Sequence, residues 1–355
     1  MKRVYAFDFL KFIASILIVF HHYQQIVGLF FEEGINFCWG RFNVGLLVEF
    51  FFLLSGFLLT GYVKPIQDGL SFTQFWGKRY LRLLPVMALA AVGYEALLAI
   101  FNHVGALYLT WYAPANIDIW GCIVTALGMQ TGGVFSIQTI NSPAWYISVL
   151  LICYAVFYLL VRVSNNKKIH IVCLFAAMVL LGIAIDTYAV ELPFLNQYTK
   201  RGYSSFFWGA IVGQIFKDRD SKLREALGGL LLSGIVVAFI IFDSASVEYG
   251  IEYLMTYIVF PSIIVVFNLP IVKRVFQFGV WEVMGDISFG VYMWHINVLL
   301  AVYIAISTIG FPVPILSLKG MIFFTVICIL VATVLHYVFE KPIAKVIGKR
   351  CVWTK

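Results

Sequence analysis

Asp8-Phe9-Leu10-Lys11-Phe12-Ile13-Ala14-Ser15-Ile16-Leu17-Ile18-Val19-Phe20-His21-His22 opens the first long apolar run of this chain, and it carries a lysine and a histidine where lipid would surround them. Lys11 and His22 are eleven residues apart, about three helical turns and roughly 16 Å of rise, so their side chains share one face. Ionisable residues inside a span mark functional sites by default. A plainer reading is also open: Lys11 snorkels to the surface or pairs with Asp8 one turn earlier, and His22 only bonds a neighbouring helix.

Working outward, 62% of the 355 residues are hydrophobic and 12% charged, far from soluble averages. The composition describes a polytopic integral membrane protein. Apolar runs near the length needed to cross a bilayer recur along the whole chain, and backbone groups in lipid must be satisfied inside helices, so the fold class is all-α. The runs place about ten transmembrane helices, at 7–31, 42–63, 83–104, 143–163, 169–189, 202–216, 225–242, 253–270, 286–309 and 317–339. They form a single transmembrane domain over 1–355, with no fused soluble domain.

With the N-terminus inside, twenty of the 25 lysines and arginines fall on inner segments; Arg41, Lys200, Arg201 and Lys319 fall outside, and Lys11 lies within its span. That bias is the positive-inside pattern and places both termini in the cytoplasm. The net charge of +7 follows from topology and anionic lipid. No nucleic-acid motif is present. The six cysteines show no C-x-x-C spacing and no metal is expected, although Cys38 and Cys122 could meet outside. The segment 105–142, with Trp111, Trp120 and a single acidic residue, Asp118, reads as the longest external loop, a lid or acceptor platform over the outer mouth, or a plain interfacial belt.

Depth then groups the polar residues. His22 and Glu49 lie at similar distances from the outer ends of the first two spans, so antiparallel neighbours would let the carboxylate orient the imidazole as a general base. A structural hydrogen bond with no turnover would look the same. Ser288, Tyr292 and His295 form one helical stripe in Ser288-Phe289-Gly290-Val291-Tyr292-Met293-Trp294-His295. Such a stripe is either interhelical glue or, if it faces His22, a ligand-lining wall. Arg79 and Arg82, one turn apart before Pro85, could fork phosphate oxygens or be ordinary topogenic positives. Glu340-Lys341-Pro342 and Phe51-Phe52-Leu53-Leu54-Ser55-Gly56-Phe57 are explained by packing.

Taken in order, these segments resemble the acyltransferase type 3 family of integral-membrane O-acyltransferases. The family's basic residue, ten others and a histidine are matched by Lys11 and His22. Its acidic residue before a Phe-rich L-S-G-F segment resembles Glu49 through Phe57, and its R-x-x-R before a proline resembles Arg79, Arg82 and Pro85. Ser288 through His295 and the closing Glu340 and Pro342 are similar to two further family segments, and Trp145-Tyr146-Ile147-Ser148-Val149 resembles a third. Lys11 stands where arginine is commoner in the family.

The resemblance implies a multi-pass protein of a cell (inner or plasma) membrane, bacterial in origin. It implies acyl-CoA, most simply acetyl-CoA, as donor substrate with no bound cofactor, and a hydroxyl of a glycan or lipid-linked glycan as acceptor. His22 and Glu49 would be catalytic, Lys11, Arg79 and Arg82 would bind the donor, and Ser288, Tyr292, His295 and Trp145 would line the cavity. The rival expectation is a transporter or flippase of a polar lipid-linked sugar, against which stands the missing inverted repeat.

Overall fold

The computed structural model describes residues 3–30, 36–38, 44–106, 116–135, 141–216, 225–234, 251–310 and 314–350, the last four without their side chains. Arg41, Trp111 and the end of the expected span 225–242 lie outside these residues. Among the described residues the chain is helical, and the only extended pairing is an isolated bridge between Leu192 and Leu195.

In chain order the helices are α1 (Tyr5–Val27), α2 (Leu47–Leu59), α3 (Val63–Gln67), α4 (Lys78–His103), α5 (Ile119–Ala126), α6 (Ala144–Val163), α7 (Lys168–Thr187) and α8 (Thr199–Phe216). They continue as α9 (225–234), α10 (Ile251–Leu254), α11 (Phe260–Phe267), α12 (Pro270–Val275), α13 (Gly279–Ile309), α14 (Leu318–Leu335) and α15 (Lys341–Arg350). Among the described residues seven helical segments are long and apolar enough to cross a bilayer: Tyr5–Val27, Val44–Gln67, Thr73–His103, Ala144–Val163, Lys168–Thr187, Gly279–Ile309 and Leu318–Val346. The other three expected spans fall short for separate reasons. Lys200, Arg201 and Gln214, more than its glycines and serines, lower the hydropathy of α8. The apolar helix Ile251–Phe267 is under 18 residues long, and 225–242 is only partly described.

The chain divides into two compact units. One comprises Met1–Lys11, Leu46–Trp76 and Ile152–Gly285; the other comprises Phe12–Gly45, Gly77–Leu151 and Asp286–Lys355.

In the first unit the defining contact is α2 against α8, set by glycine. A Cβ on Gly56 would sit 1.9 Å from the carbonyl oxygen of Phe206, and one on Gly209 would sit 2.0 Å from that of Leu53. Without a driving force from water, helices in lipid associate by close backbone approach through small residues, and Gly209 and Gly213 are spaced for it. The L-S-G-F segment singled out in the sequence is thus half of this contact. Ser205, on the same helix, is fully buried with its hydroxyl unpartnered.

In the second unit α13 is the central element. From Val291 to Leu300 every residue is buried, as expected of a helix apolar on nearly all faces. A core of Val19, Tyr23 and Ile26 from α1, Tyr94 and Leu98 from α4, and Met321 and Phe324 from α14 surrounds it. The helix begins seven residues earlier than hydropathy suggests, because Glu282 and Asp286 depress the average without breaking the backbone. Gly28 ends α1 and Gly310 ends α13, each at a positive φ that a helix C-terminus favours.

Gly209→Ala should cost about 1–3 kcal/mol, because the methyl group has to push two backbones apart. Ser205→Ala in the same helix should be neutral or slightly stabilising, since it removes an unpaired buried hydroxyl. Thermal unfolding of the two variants in detergent checks both expectations.

Candidate functional site

The second unit brings His22 and His295 together. Nδ1 of His22 lies 2.8 Å from Nε2 of His295. The ring planes are within 6° of parallel, with centroids 4.9 Å apart. That separation is close to the hydrogen-bond length plus two ring radii, so the imidazoles meet edge to edge through these nitrogens and not face to face. Ser15, two turns before His22, donates its hydroxyl to the carbonyl of Ser288, two turns before His295, at 2.9 Å. Both contacts join residues 273 apart, so α1 and α13 run parallel and in register for about 10 Å.

Hydrogen-bond chemistry assigns the protons. His295 Nδ1 lies 2.6 Å from the carbonyl oxygen of Tyr292. A carbonyl can only accept, so this nitrogen carries a hydrogen. In the neutral ring Nε2 of His295 is then the acceptor, and Nδ1–H of His22 donates to it. The lone pair of His22 is left on Nε2, which makes that atom the basic one. The neighbouring His21 is committed elsewhere, with Nδ1 3.0 Å from the carbonyl oxygen of Phe37.

The segment leading into α6 is tied to the same turn of α13. The Tyr292 hydroxyl donates to the Pro143 carbonyl at 3.1 Å, and the Asn141 amide donates to the Met293 carbonyl at 3.3 Å. Tyr146 meets the ring of Tyr292 edge-on at 5.7 Å. Trp145 is half-buried, and its carbonyl accepts from Thr131. Ser288, Tyr292 and His295 thus form one buried stripe, with His295 meeting His22 directly. Arg79 and Arg82 belong to this unit as well, in the first turns of α4; Arg79 is buried and Arg82 exposed.

Lys11 and Glu49 belong to the first unit, each with a partner there. Asp8, buried, accepts from Lys11 Nζ at 2.6 Å and from Arg3 Nε at 2.5 Å. The carboxylate of Glu49 is gripped by two nitrogens of Arg201, with Nη2 to Oε2 at 2.7 Å and Nε on Oε1. The partner shown for His22 is an imidazole, where the depth argument expects the carboxylate of Glu49. Arg201 reads in the sequence only as one of four outer positives. Similar depth pairs Glu49 equally well with either partner, and bidentate guanidinium geometry is the stronger match for a carboxylate. Cys38 and Cys122 are both free thiols. Among the described residues no cluster of His, Cys, Asp or Glu is arranged to hold a metal ion.

A family model described as an acyltransferase domain, that of the acyltransferase type 3 family, matches residues 4–337. The chain therefore belongs to that family, and its apolar helices make it a membrane acyltransferase. No curated protein and no solved structure matches it.

Arg201→Met should destabilise the protein by up to about 3 kcal/mol, because it strands the buried Glu49 carboxylate. Adding Glu49→Gln should recover much of that loss, as removal of both charges relieves the unpaired one. Melting temperatures of the two single variants and the double variant in detergent test this coupling.

Proposed function

We propose that this protein transfers an acyl group, most simply acetyl, from acyl-CoA to a hydroxyl of a cell-surface glycan or its lipid-linked precursor, with His22 as general base. The observation that carries this reading is the proton order along Tyr292, His295 and His22, which leaves the lone pair on Nε2 of His22.

In the step proposed, the acceptor hydroxyl gives its proton to Nε2 of His22 while its oxygen attacks the thioester carbon. The carbon–sulfur bond breaks, the proton passes to the departing thiolate, and the products are an O-acyl ester and free CoA. While His22 is protonated, its Nδ1–H points at the acceptor nitrogen of His295, and the Tyr292 carbonyl holds His295 in the ring position that receives it. His295 is thus a positioning residue, and a positioned base of this kind contributes typically a hundred- to ten-thousand-fold.

The donor enters from the cytoplasmic side in this account. Arg79 and Arg82 bind the nucleotide phosphates, as a fork suited to their oxygens. Lys11 stays with Asp8 at the start of its own span. Ser288, Tyr292 and Trp145 wall the cavity in which the thioester meets the acceptor. Glu49, held by Arg201, keeps a structural role. Both termini lie in the cytoplasm, and the chain crosses a cell (inner or plasma) membrane ten times. Parallel α1 and α13 support that count, since it places seven crossings, an odd number, between them.

His22→Ala, at normal expression, should lower acyl transfer by about a hundred- to ten-thousand-fold. Mass spectrometry of cell-envelope glycans with and without the protein, before and after mild alkali, reads the result. One base-labile acyl mass per acceptor is expected with the wild type and almost none with the variant. Equal acylation by both removes His22 from the mechanism, and glycans of unchanged mass favour a carrier of the same sugar.

A further inference from the structure

The segment between α4 and α6 behaves unlike an aqueous loop. Between Glu95 and Arg162 the chain carries one residue of the Asp, Glu, Lys and Arg types, Asp118. Asp118 caps α5, its Oδ1 accepting from the amide of Gly121 at 2.8 Å, and it lies beside Glu95 of α4. α5 then packs along α4 in the opposite sense. At its far end the carbonyl of Leu127 accepts from the hydroxyl of Tyr80 at 3.3 Å. Glu95 and Tyr80 are separated by fifteen residues of one helix, about 22 Å.

The chain reverses at Gly128, whose φ is +71°. A Cβ there would lie 2.8 Å from Leu151 of α6 and 3.2 Å from Met87 of α4, so the turn is wedged between the two helices. The return leg is fastened to α6, with the amide of Gln130 donating to the Ser148 hydroxyl and the Thr131 hydroxyl to the Trp145 carbonyl. Met87 is eight residues, about 12 Å, beyond Arg79 along a helix of membrane-spanning length. A turn held at that depth sits below the level of any external loop.

The surface of α5 agrees. Gly121, Val124 and Thr125 are buried, while Ile119, Trp120, Ile123 and Leu127 are exposed, Ile119 by 72%. In water this face would be a liability; against acyl chains it is at rest. Irregular backbone at membrane depth is tolerated where protein buries it, as α4 and α6 bury this turn.

We propose that α5 is a re-entrant helix sunk in the bilayer, with its apolar face, Ile119, Trp120, Ile123 and Leu127, lying against lipid acyl chains. The segment is then a fixed wall beside the acyl-transfer site. It is no lid over an outer mouth. This placement holds whether or not His22 is the base.

Site-directed spin labelling of the full chain in liposomes tests it, with native cysteines replaced and single cysteines at Asn116, Ile123 and Leu127. At positions 123 and 127 oxygen should relax the label strongly and a water-soluble nickel chelate weakly, and the order should reverse at 116. A sulfonated maleimide should react at 123 and 127 at least about tenfold more slowly than at 116, since thiolate forms only in water. Nickel accessibility at 123 and 127 equal to that at 116 overturns the proposal. So does low accessibility to both reagents, which would mean that protein covers the face.

Discussion

The hydrogen bond between two imidazoles, His22 on α1 and His295 on α13, is the interaction on which the site depends. It forms because α1 and α13 run parallel in register, and the register is repeated two turns away by Ser15 and the Ser288 carbonyl. A slip of one residue on either helix would rotate one ring by about 100° and break the contact. The backbone carbonyl of Tyr292 then gives the pair a direction, because an atom that cannot donate dictates which nitrogen of His295 carries the proton. Two imidazoles and one carbonyl are sufficient to order the protons of the pair without a buried carboxylate, whose desolvation in lipid would be costly.

The two compact units hold charge differently. In the first, Asp8 accepts from both Arg3 and Lys11, Arg3 also reaches Glu282, and Glu49 is paired with Arg201, so these carboxylates are matched by cations of the same unit. Glycines 56, 209 and 213 let α2 and α8 approach to backbone contact, which leaves little freedom for Glu49 to seek another partner. In the second unit Ser15, Ser288, Tyr292 and Asn141 around the two histidines carry no charge, and Arg79 and Arg82 lie at one end of α4.

Much of this was legible in the residues. Apolar runs announce most of the helices, and the spacing of Lys11 and His22, of Arg79 and Arg82, and of Ser288, Tyr292 and His295 resembles one family that the match over residues 4–337 bears out. What spacing could not reveal is which partner a polar group takes. Arg201 looks like a topogenic charge until α8 is laid against α2. The Tyr292 carbonyl and the Asn141 amide act through backbone bonds that no motif encodes. In α8 it is Lys200, Arg201 and Gln214 that dilute the apolar signal, so the arginine that holds Glu49 also hides the helix that carries it. The segment 116–135 shows the reverse case. It belongs to 105–142, expected as the longest external loop, yet its described residues are nearly free of charge and are bonded to α4 and α6.

The most direct measurement is nitrogen NMR of protein labelled with 15N-histidine, reconstituted in lipid near neutral pH, with His22 and His295 assigned by single replacement. The account predicts that His22 carries its hydrogen on Nδ1, with a through-bond coupling to an unprotonated Nε2 of His295, and that Nδ1 of His295 is protonated. A hydrogen on Nε2 of His22, with Nδ1 bare, would contradict it.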